Sequence, residues 1–457
     1  MGLLFYPRGG SAHVARNLAA TLPLAGWDVT VLSGSVTRPG HPGDAASFYK
    51  GLDVRPVDMT HALTSPDPMA ANPPMHPSYE DREGAPDRIF AALDDAQAEH
   101  QVAAWARALQ SVDAANADVL HLHHLTPLYE AAARVAPQVP IVAHLHGTEL
   151  LMLEAIQRDP HRWPYGEAWA ERMRAWAARA ERIIVLSETQ IERAERLLPI
   201  DHARCVLIPN GYDPKNFTPR HIDHKALWRR MLVDEPRGWA PNGETVRYDE
   251  SVLENFGDER GETPVILYVG RFTEVKRIPL LIEAYERARP GFNRHAPLVL
   301  VGGFPGEWEG EHPLETIERV GAADVYLAGW HEHHELPDIL AATDVIVLPS
   351  VREQFGQVLV EGMACGLPAI AVDAHGPADI VNHGETGWLV EPDDLDGLAN
   401  ALVEAVNRPD ERRRRGANAA KDVADRFAWP ALAREVAEVY DDARDATSLR
   451  EEPVSTG

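Results

Sequence analysis

Twice along this chain, short apolar runs alternate with stretches of helical pattern, and that alternation admits few folds. It reads as β-α-β units on parallel sheets, because strands buried on both faces appear as near-continuous apolar runs. In the first half, Leu3–Tyr6, Val29–Leu32, Val119–Leu122, Ile141–His144 and Ile183–Leu186 are the expected strands. Helical patterns over Ser11–Ala25, Asp87–Ser111, Leu128–Val135 and Pro164–Ala180 separate them. In the second half, Val265–Val269, Leu298–Val301, Val325–Leu327, Val345–Leu348, Ala369–Val372 and Trp388–Val390 repeat the signature, around helices such as Pro279–Ala288, Leu336–Ala342 and Gln357–Ala364. Each half is therefore expected to be a doubly wound domain, with ligands at the carboxyl ends of its strands. Two such halves facing each other would leave a cleft. The length of 457 residues fits two or three domains.

Three segments break the pattern. His61–Asp87 carries six prolines with Met69 and Met75, and is expected to be a long loop. Pro214–Thr263 is polar, holds Trp228 and Trp239, and suggests a helix near His224–Leu232. Arg444–Gly457 ends in Pro, Ser, Thr and Gly, so a frayed tail is expected.

Charge narrows the function. Lys plus Arg total 44 against 70 Asp plus Glu, a net charge of −26, which argues against a nucleic-acid partner. One small anion can still be held where a few cations and helix N-termini converge. The longest stretch free of Asp, Glu, Lys and Arg, Val135–Thr148, is 14 residues, too short to span a bilayer. Arg8 and a glycine pair stand where a signal peptide has its apolar core. Two cysteines without a Cys-x-x-C spacing fit a reducing compartment. The expected localisation is cytoplasmic.

Four motifs carry chemistry. Gly9-Gly10 follows a strand and opens a helix, where backbone can approach an anion; a plain strand-to-helix turn explains it equally. Gly270-Arg271-Phe272-Thr273-Glu274-Val275-Lys276 ends an apolar strand and sets two cations five residues apart, which suits a diphosphate. Surface charges in a solvated loop are the plain alternative. Glu353-Gln354-Phe355-Gly356-Gln357 leads into a helix whose apolar sides carry Glu361, about 7–8 Å along the axis from Gly356. Two carboxylates so separated could address two ends of an elongated ligand, and a Glu on a mostly buried helix needs a partner. Finally, His144 and His146 share one face of a strand that His146 ends, just before Gly147, next to His121 and His123, which end the neighbouring strand and are followed by His124. Without a third-ligand spacing they read as core or cleft histidines, not a metal site. His331, His333 and His334 read as turn residues before a helix, Asp394-Leu395-Asp396 as a helix cap, and Arg412–Arg415 as a solvated helix face.

Taken together, these pieces resemble the retaining nucleotide-sugar glycosyltransferases of family 4, which have the GT-B fold: α/β, with two Rossmann-like doubly wound domains facing across a cleft. The matching residues are Gly9-Gly10, His146-Gly147, Pro209-Asn210-Gly211-Tyr212-Asp213, Gly270-Arg271 with Lys276, and Glu353 through Glu361. Gly329-Trp330, Leu336-Pro337, Ala342-Thr343-Asp344-Val345 and Phe427-Ala428-Trp429 also look like that family. The resemblance implies an N-terminal acceptor-side domain over 1–213 with the insertion 61–87, and an inter-domain insertion over 214–263. A nucleotide-sugar-binding domain over 264–425 follows, then closing helices over 426–445 packing back on the first domain, and a flexible tail over 446–457.

The resemblance also implies roles. Arg271 and Lys276 would hold the diphosphate, beside Gly270, and Glu361 would accept both ribose hydroxyls. Glu353 would sit by the donor sugar, with backbone N–H groups of Phe355, Gly356 and Gln357 on its hydroxyls. His146 would face the sugar, and Gly9 and Gly10 the distal phosphate and acceptor. The implied activity is transfer of a hexosyl group from a nucleotide diphosphate sugar to a hydroxyl acceptor, with retained configuration and no metal or other cofactor. UDP, GDP and ADP sugars all satisfy a carboxylate that reads only ribose; family habit favours UDP. A nucleotide-sugar epimerase or hydrolase working without an acceptor, and a non-catalytic sugar-nucleotide binder, are the alternatives. Gln354 departs from the Gly, Pro or Ser common at that place. Position alone makes 61–87 the candidate for shaping the acceptor site.

Overall fold

The computed structural model describes residues 1–7, 9–38, 41–80, 86–257, 263–304 and 308–451. The chain forms two compact units, one of 1–210 with 429–457, the other of 211–428.

The first unit is built on a seven-stranded sheet in which every neighbouring pair is parallel. Its strands are β1 (Gly2–Leu3), β2 (Thr30–Ser35), β3 (Asp53–Asp58), β4 (Leu120–His123), β5 (Ile141–His144), β6 (Arg182–Val185) and β7 (Cys205–Leu207), in the order β3-β2-β1-β4-β5-β6-β7. The strand order reverses direction between β1 and β4, and a crevice opens at such a switch point beyond the strands' carboxyl ends. β1 keeps only two ladder residues, since the chain leaves the sheet at Leu4, before the end of the apolar run. The expected helix from Asp87 starts at Asp95, where Asp94 and Gln97 make a reciprocal capping box.

The proline-rich stretch is packed. Its described part makes tight turns over Ala62–Thr64 and Pro68–Ala70, and Met69 and Met75 lie in the main core with Phe90 and Trp105. Gln101 Nε2 donates to the Met75 carbonyl at 2.6 Å, anchoring backbone that forms no ladder. The last helix, Trp429–Glu451, buries Trp429, Leu432, Val436 and Tyr440 against Val14 and Leu18 of helix Gly10–Thr21 and Leu22 of the turn Leu22–Ala25 that follows it. The tail expected from 446 is therefore helical to Glu451, and 452–457 lie outside the described residues.

In the second unit a hairpin of β8 (Gly238–Trp239) and β9 (Thr245–Val246) precedes a six-stranded sheet. Its strands, all paired in parallel, are β10 (Ile266–Gly270), β11 (Leu298–Gly302), β12 (Val325–Gly329), β13 (Val345–Leu348), β14 (Ala369–Val372) and β15 (Gly387–Val390). The order β12-β11-β10-β13-β14-β15 places a second switch point between β10 and β13. The described part of 214–263 belongs to this unit: Arg237 bridges to Gly329, and Trp228 stacks on Phe256, which meets Tyr326 of β12. A helix runs over His224–Arg229 and widens into a π-turn at Arg230–Asp234.

The basic run corrects an expectation. Arg413 and Arg414 are exposed, but Arg412 and Arg415 are buried. Arg412 donates to the carbonyls of Ala405 and Val406 at the end of helix Leu395–Asn407, satisfying acceptors a helix end leaves open. Arg415 lies over the Trp388 ring at 4.1 Å and donates to the Gly387 carbonyl and to Glu404. Asp394 caps its helix as expected, accepting from the Gly397 N–H at 2.9 Å. Among the described residues, no helix is long and apolar enough to cross a membrane.

Candidate functional site

In the second unit the candidate residues gather at the switch point. Gly270 ends β10, and the loop Arg271–Lys276 carries on from it. Glu353 lies in the loop after β13, the next strand across. These loops are tied together: Val351 N–H donates to the Val275 carbonyl at 3.0 Å, and Ser350 Oγ at 3.2 Å. Lys276 Nζ and a Glu353 carboxylate oxygen form an ion pair. The Arg271 side chain is exposed. Its carbonyl accepts from the Tyr268 hydroxyl at 2.9 Å, which fixes the loop over the sheet. Burial, then the nearby Glu353 charge, push the Tyr268 hydroxyl well above its ordinary pKa, so it stays a neutral donor.

The backbone turns tightly around this loop. Gly302, at the end of β11, has φ +129°, and a Cβ there would lie 1.9 Å from the Gly270 carbonyl oxygen. Across the site, Gly356 has φ +104° and starts helix Gln357–Ala364, with no side chain capping it. Its first N–H groups are therefore open to an anion or a hydroxyl-rich ligand. Phe355 is buried and packs edge-on against Phe427.

Glu361 lies one turn into that helix and is 3% exposed. Its Oε1 accepts from Gln357 Nε2 at 3.2 Å and pairs with His333 Nε2 at 2.7 Å. Gln357 Nε2 also donates to the Gly211 carbonyl at 2.8 Å. His333 lies in the expected turn before helix Leu336–Ala341, yet it touches the carboxylate. Nothing in the spacing marks it: 28 residues separate the two, and only the fold brings them together.

In the first unit, Gly9 is the N-cap of helix Gly10–Thr21 and lies exposed with Gly10 at the carboxyl end of β1. His146 follows β5 and is 9% exposed. Its Nε2 lies 2.9 Å from His123 Nδ1, and its backbone N–H donates to Glu149 Oε1 at 2.7 Å. The second Glu149 oxygen pairs with His124 at 3.2 Å. Burial opposes the Glu149 charge, but His124 and the backbone N–H groups outweigh it and hold its pKa below the usual carboxylate value. Sequence reading passed over Glu149; a Glu opening an apolar helix straight after His-Gly-Thr was its one signal.

The histidines form two hydrogen-bonded pairs, His121 with His144 and His123 with His146. One pair stacks on the other, with centroids 4.6 Å apart along each strand and ring planes within 16°. Ligand atoms of His121, His123 and His144 fall within 4.8 Å of one another. A bound metal lies in the plane of each imidazole that ligates it, about 2.0–2.1 Å from the nitrogen. Near-parallel planes in two layers share no such point unless rings rotate. Burial, reinforced by the neighbouring rings, lowers the pKa of His121, His123 and His146 well below the usual histidine value, and that of His144 to about 3.

Comparison with known proteins bears on the family and the fold. Residues 8–216 match the family model described as Glycosyltransferase Family 4, and 252–422 match Glycosyl transferases group 1. N-acetyl-alpha-D-glucosaminyl L-malate synthase of Bacillus anthracis is 24% identical over 72% of this chain and 75% of its own. D-inositol 3-phosphate glycosyltransferase of Stackebrandtia nassauensis is 29% identical over 74% and 71%. Among solved structures, sucrose-phosphate synthase from Thermosynechococcus elongatus superposes with a TM-score of 0.67 at 21% identity, covering 97% of this chain and 99% of that one. Anabaena HepE in complex with UDP and glucose gives 0.65 at 18% identity, over 96% and 99%.

Proposed function

The chain belongs to the family 4 glycosyltransferases of GT-B fold, enzymes that use nucleotide-sugar donors, and from that premise we propose that it transfers a hexosyl group from a UDP-sugar to a hydroxyl acceptor with retained configuration and no metal. The observation that carries this reading is the Lys276–Glu353 ion pair at the β10/β13 switch point, beside the open N-terminus of helix Gln357–Ala364. The departing group of such a reaction is a diphosphate. Two cations, Arg271 and Lys276, with helix N–H groups, are a preorganised counter-charge of the kind that lowers such a barrier most. Glu353, held by Lys276, accepts from donor-sugar hydroxyls, and N–H groups of Phe355, Gly356 and Gln357 donate to that sugar. Glu361 takes the ribose beside Gly270. The departing phosphate oxygen takes the acceptor's proton, so Glu353 forms no covalent bond to sugar.

On the acceptor side, His146, neutral and fixed by His123 and Glu149, faces the sugar, and Gly9 and Gly10 offer backbone N–H groups. The UDP and glucose bound to Anabaena HepE support the choice of base. The names of the two relatives point to small acceptors bearing an acid group, L-malate and inositol 3-phosphate.

The test is a reaction of the full chain with UDP-, GDP- and ADP-sugars, each with and without an acceptor pool containing both compounds, in excess chelator. Products are identified by mass spectrometry and the anomeric proton by NMR. Acceptor-dependent formation of the donor's own anomer is expected. Sugar release that ignores the acceptor, an inverted product, or activity lost to the chelator would each overturn its part of the proposal.

A further inference from the structure

The Glu361 carboxylate is asymmetrically used. Oε1 is already met by two groups of the chain, His333 and Gln357, whereas no bond to Oε2 occurs among the described residues. A carboxylate oxygen accepts about two hydrogen bonds, so Oε1 is filled and Oε2 is the oxygen left for a ligand. Gln357 cannot fix the carboxylate alone. Its single amide nitrogen is shared between Glu361 at 3.2 Å and the Gly211 carbonyl at 2.8 Å. His333 makes the shorter contact and is itself braced by the Phe217 ring, 5.2 Å away between centroids.

We infer that His333 is a positioning residue for nucleotide recognition: it pins Oε1 of Glu361 so that Oε2 points at a ribose hydroxyl, and thereby sets the preference for a ribonucleotide over a deoxyribonucleotide. This rests on the reading of Glu361 as the ribose acceptor. The consequence is specific. A group that aims one oxygen at one hydroxyl matters only to ligands that carry the hydroxyl. His333 lies in a turn with its side chain 29% exposed and a ring contact to Phe217, so its variants are compared only where their thermal melts match the wild type.

The experiment is calorimetric titration of the full chain with UDP, 2′-deoxy-UDP and 3′-deoxy-UDP, for the wild type, His333→Ala and His333→Gln, with thermal melts as the check on folding. The wild type is expected to bind UDP about tenfold more tightly than at least one deoxy form, the worth of a hydrogen bond to a charged group. In His333→Ala the UDP affinity should fall about five- to tenfold while affinity for that deoxy form stays unchanged, closing the gap. His333→Gln, whose amide can still donate to Oε1, should restore part of it. Equal loss for all three nucleotides, or a gap that survives in His333→Ala, would overturn the role of His333 alone. A wild type that binds all three equally would overturn the ribose reading of Glu361, and this inference with it.

Discussion

The Lys276 ammonium and the Glu353 carboxylate stand 77 residues apart in sequence yet form one ion pair, with side chains 18% and 20% exposed. Pairs at the open surface are worth little, but a shielded one at a switch point is held in one geometry. Removing either partner breaks the pair and leaves the other charge poorly compensated. Lys276→Ala and Glu353→Ala should each lower kcat by about 10²–10³-fold, the usual loss for one preorganised group facing developing charge. Lys276→Arg should not restore it, because a planar fork does not replace a point charge. Initial-rate kinetics on folded variants decide this, and full activity in both alanine variants would remove these residues from the site.

The loop that carries Arg271 depends on a backbone contact that a side chain would destroy. Gly302 combines φ +129° with a Cβ position 1.9 Å from the Gly270 oxygen. Gly302→Ala therefore has to strain its own backbone and displace β10 at once. We expect a loss of about 3 kcal/mol or more. For a unit of this size that is a fall in Tm of about 6–12 °C, measured by calorimetry. A Tm within 1–2 °C of the wild type would show that the β10–β11 edge yields freely.

What the sequence revealed follows burial. Ile141–His144, Val345–Leu348 and Ala369–Val372 are central strands, apolar on both faces, and were legible to the residue. The edge strand Asp53–Asp58 was not, because its alternate charges and Pro56 are what an edge uses against further pairing. The candidate site divides the same way. Loops that follow strands, such as Gly270–Lys276 and Glu353–Gln357, were legible from position. Contacts made only by folding were not: His333 on Glu361, Glu149 under His146, and Arg412 and Arg415 turned inward onto a helix end and Trp388.

His146 has its pKa driven well below the histidine range by burial and then by its neighbours, so it is neutral throughout the pH range of ordinary assays. It can orient a hydroxyl but not deliver a proton as an acid. We expect His146→Gln, which keeps a donor and an acceptor, to retain more turnover than His146→Ala. The kcat profile of the wild type between pH 6 and 8 should match that of His146→Gln in shape. An inflection near pH 6.5 that disappears in His146→Gln would show that the ring titrates in the reaction.

The stacked pairs also make the first unit acid-sensitive, and the sign follows from linkage. In the unfolded chain a histidine gains its proton near pH 6.5. In the folded chain His121, His123 and His146 do so only far lower, and His144 at about 3. The unfolded state therefore binds more protons between these values, and stability is full above about pH 6.5 and lost as pH falls from there toward about 3. Below about pH 6.5 each such histidine costs on the order of 1 kcal/mol per pH unit. The pairing explains the sense, since a facing pair of imidazoles needs one N–H and one lone pair, and a second proton would set N–H against N–H. Proton NMR of the ring Cε1–H signals should show these four flat from pH 7.5 to 5.5, and urea midpoints for the first unit should fall over the same range. His121→Phe should make that fall shallower by about one proton's worth of slope. Ring signals of the four moving with an ordinary midpoint would show that the folded stack admits protons freely.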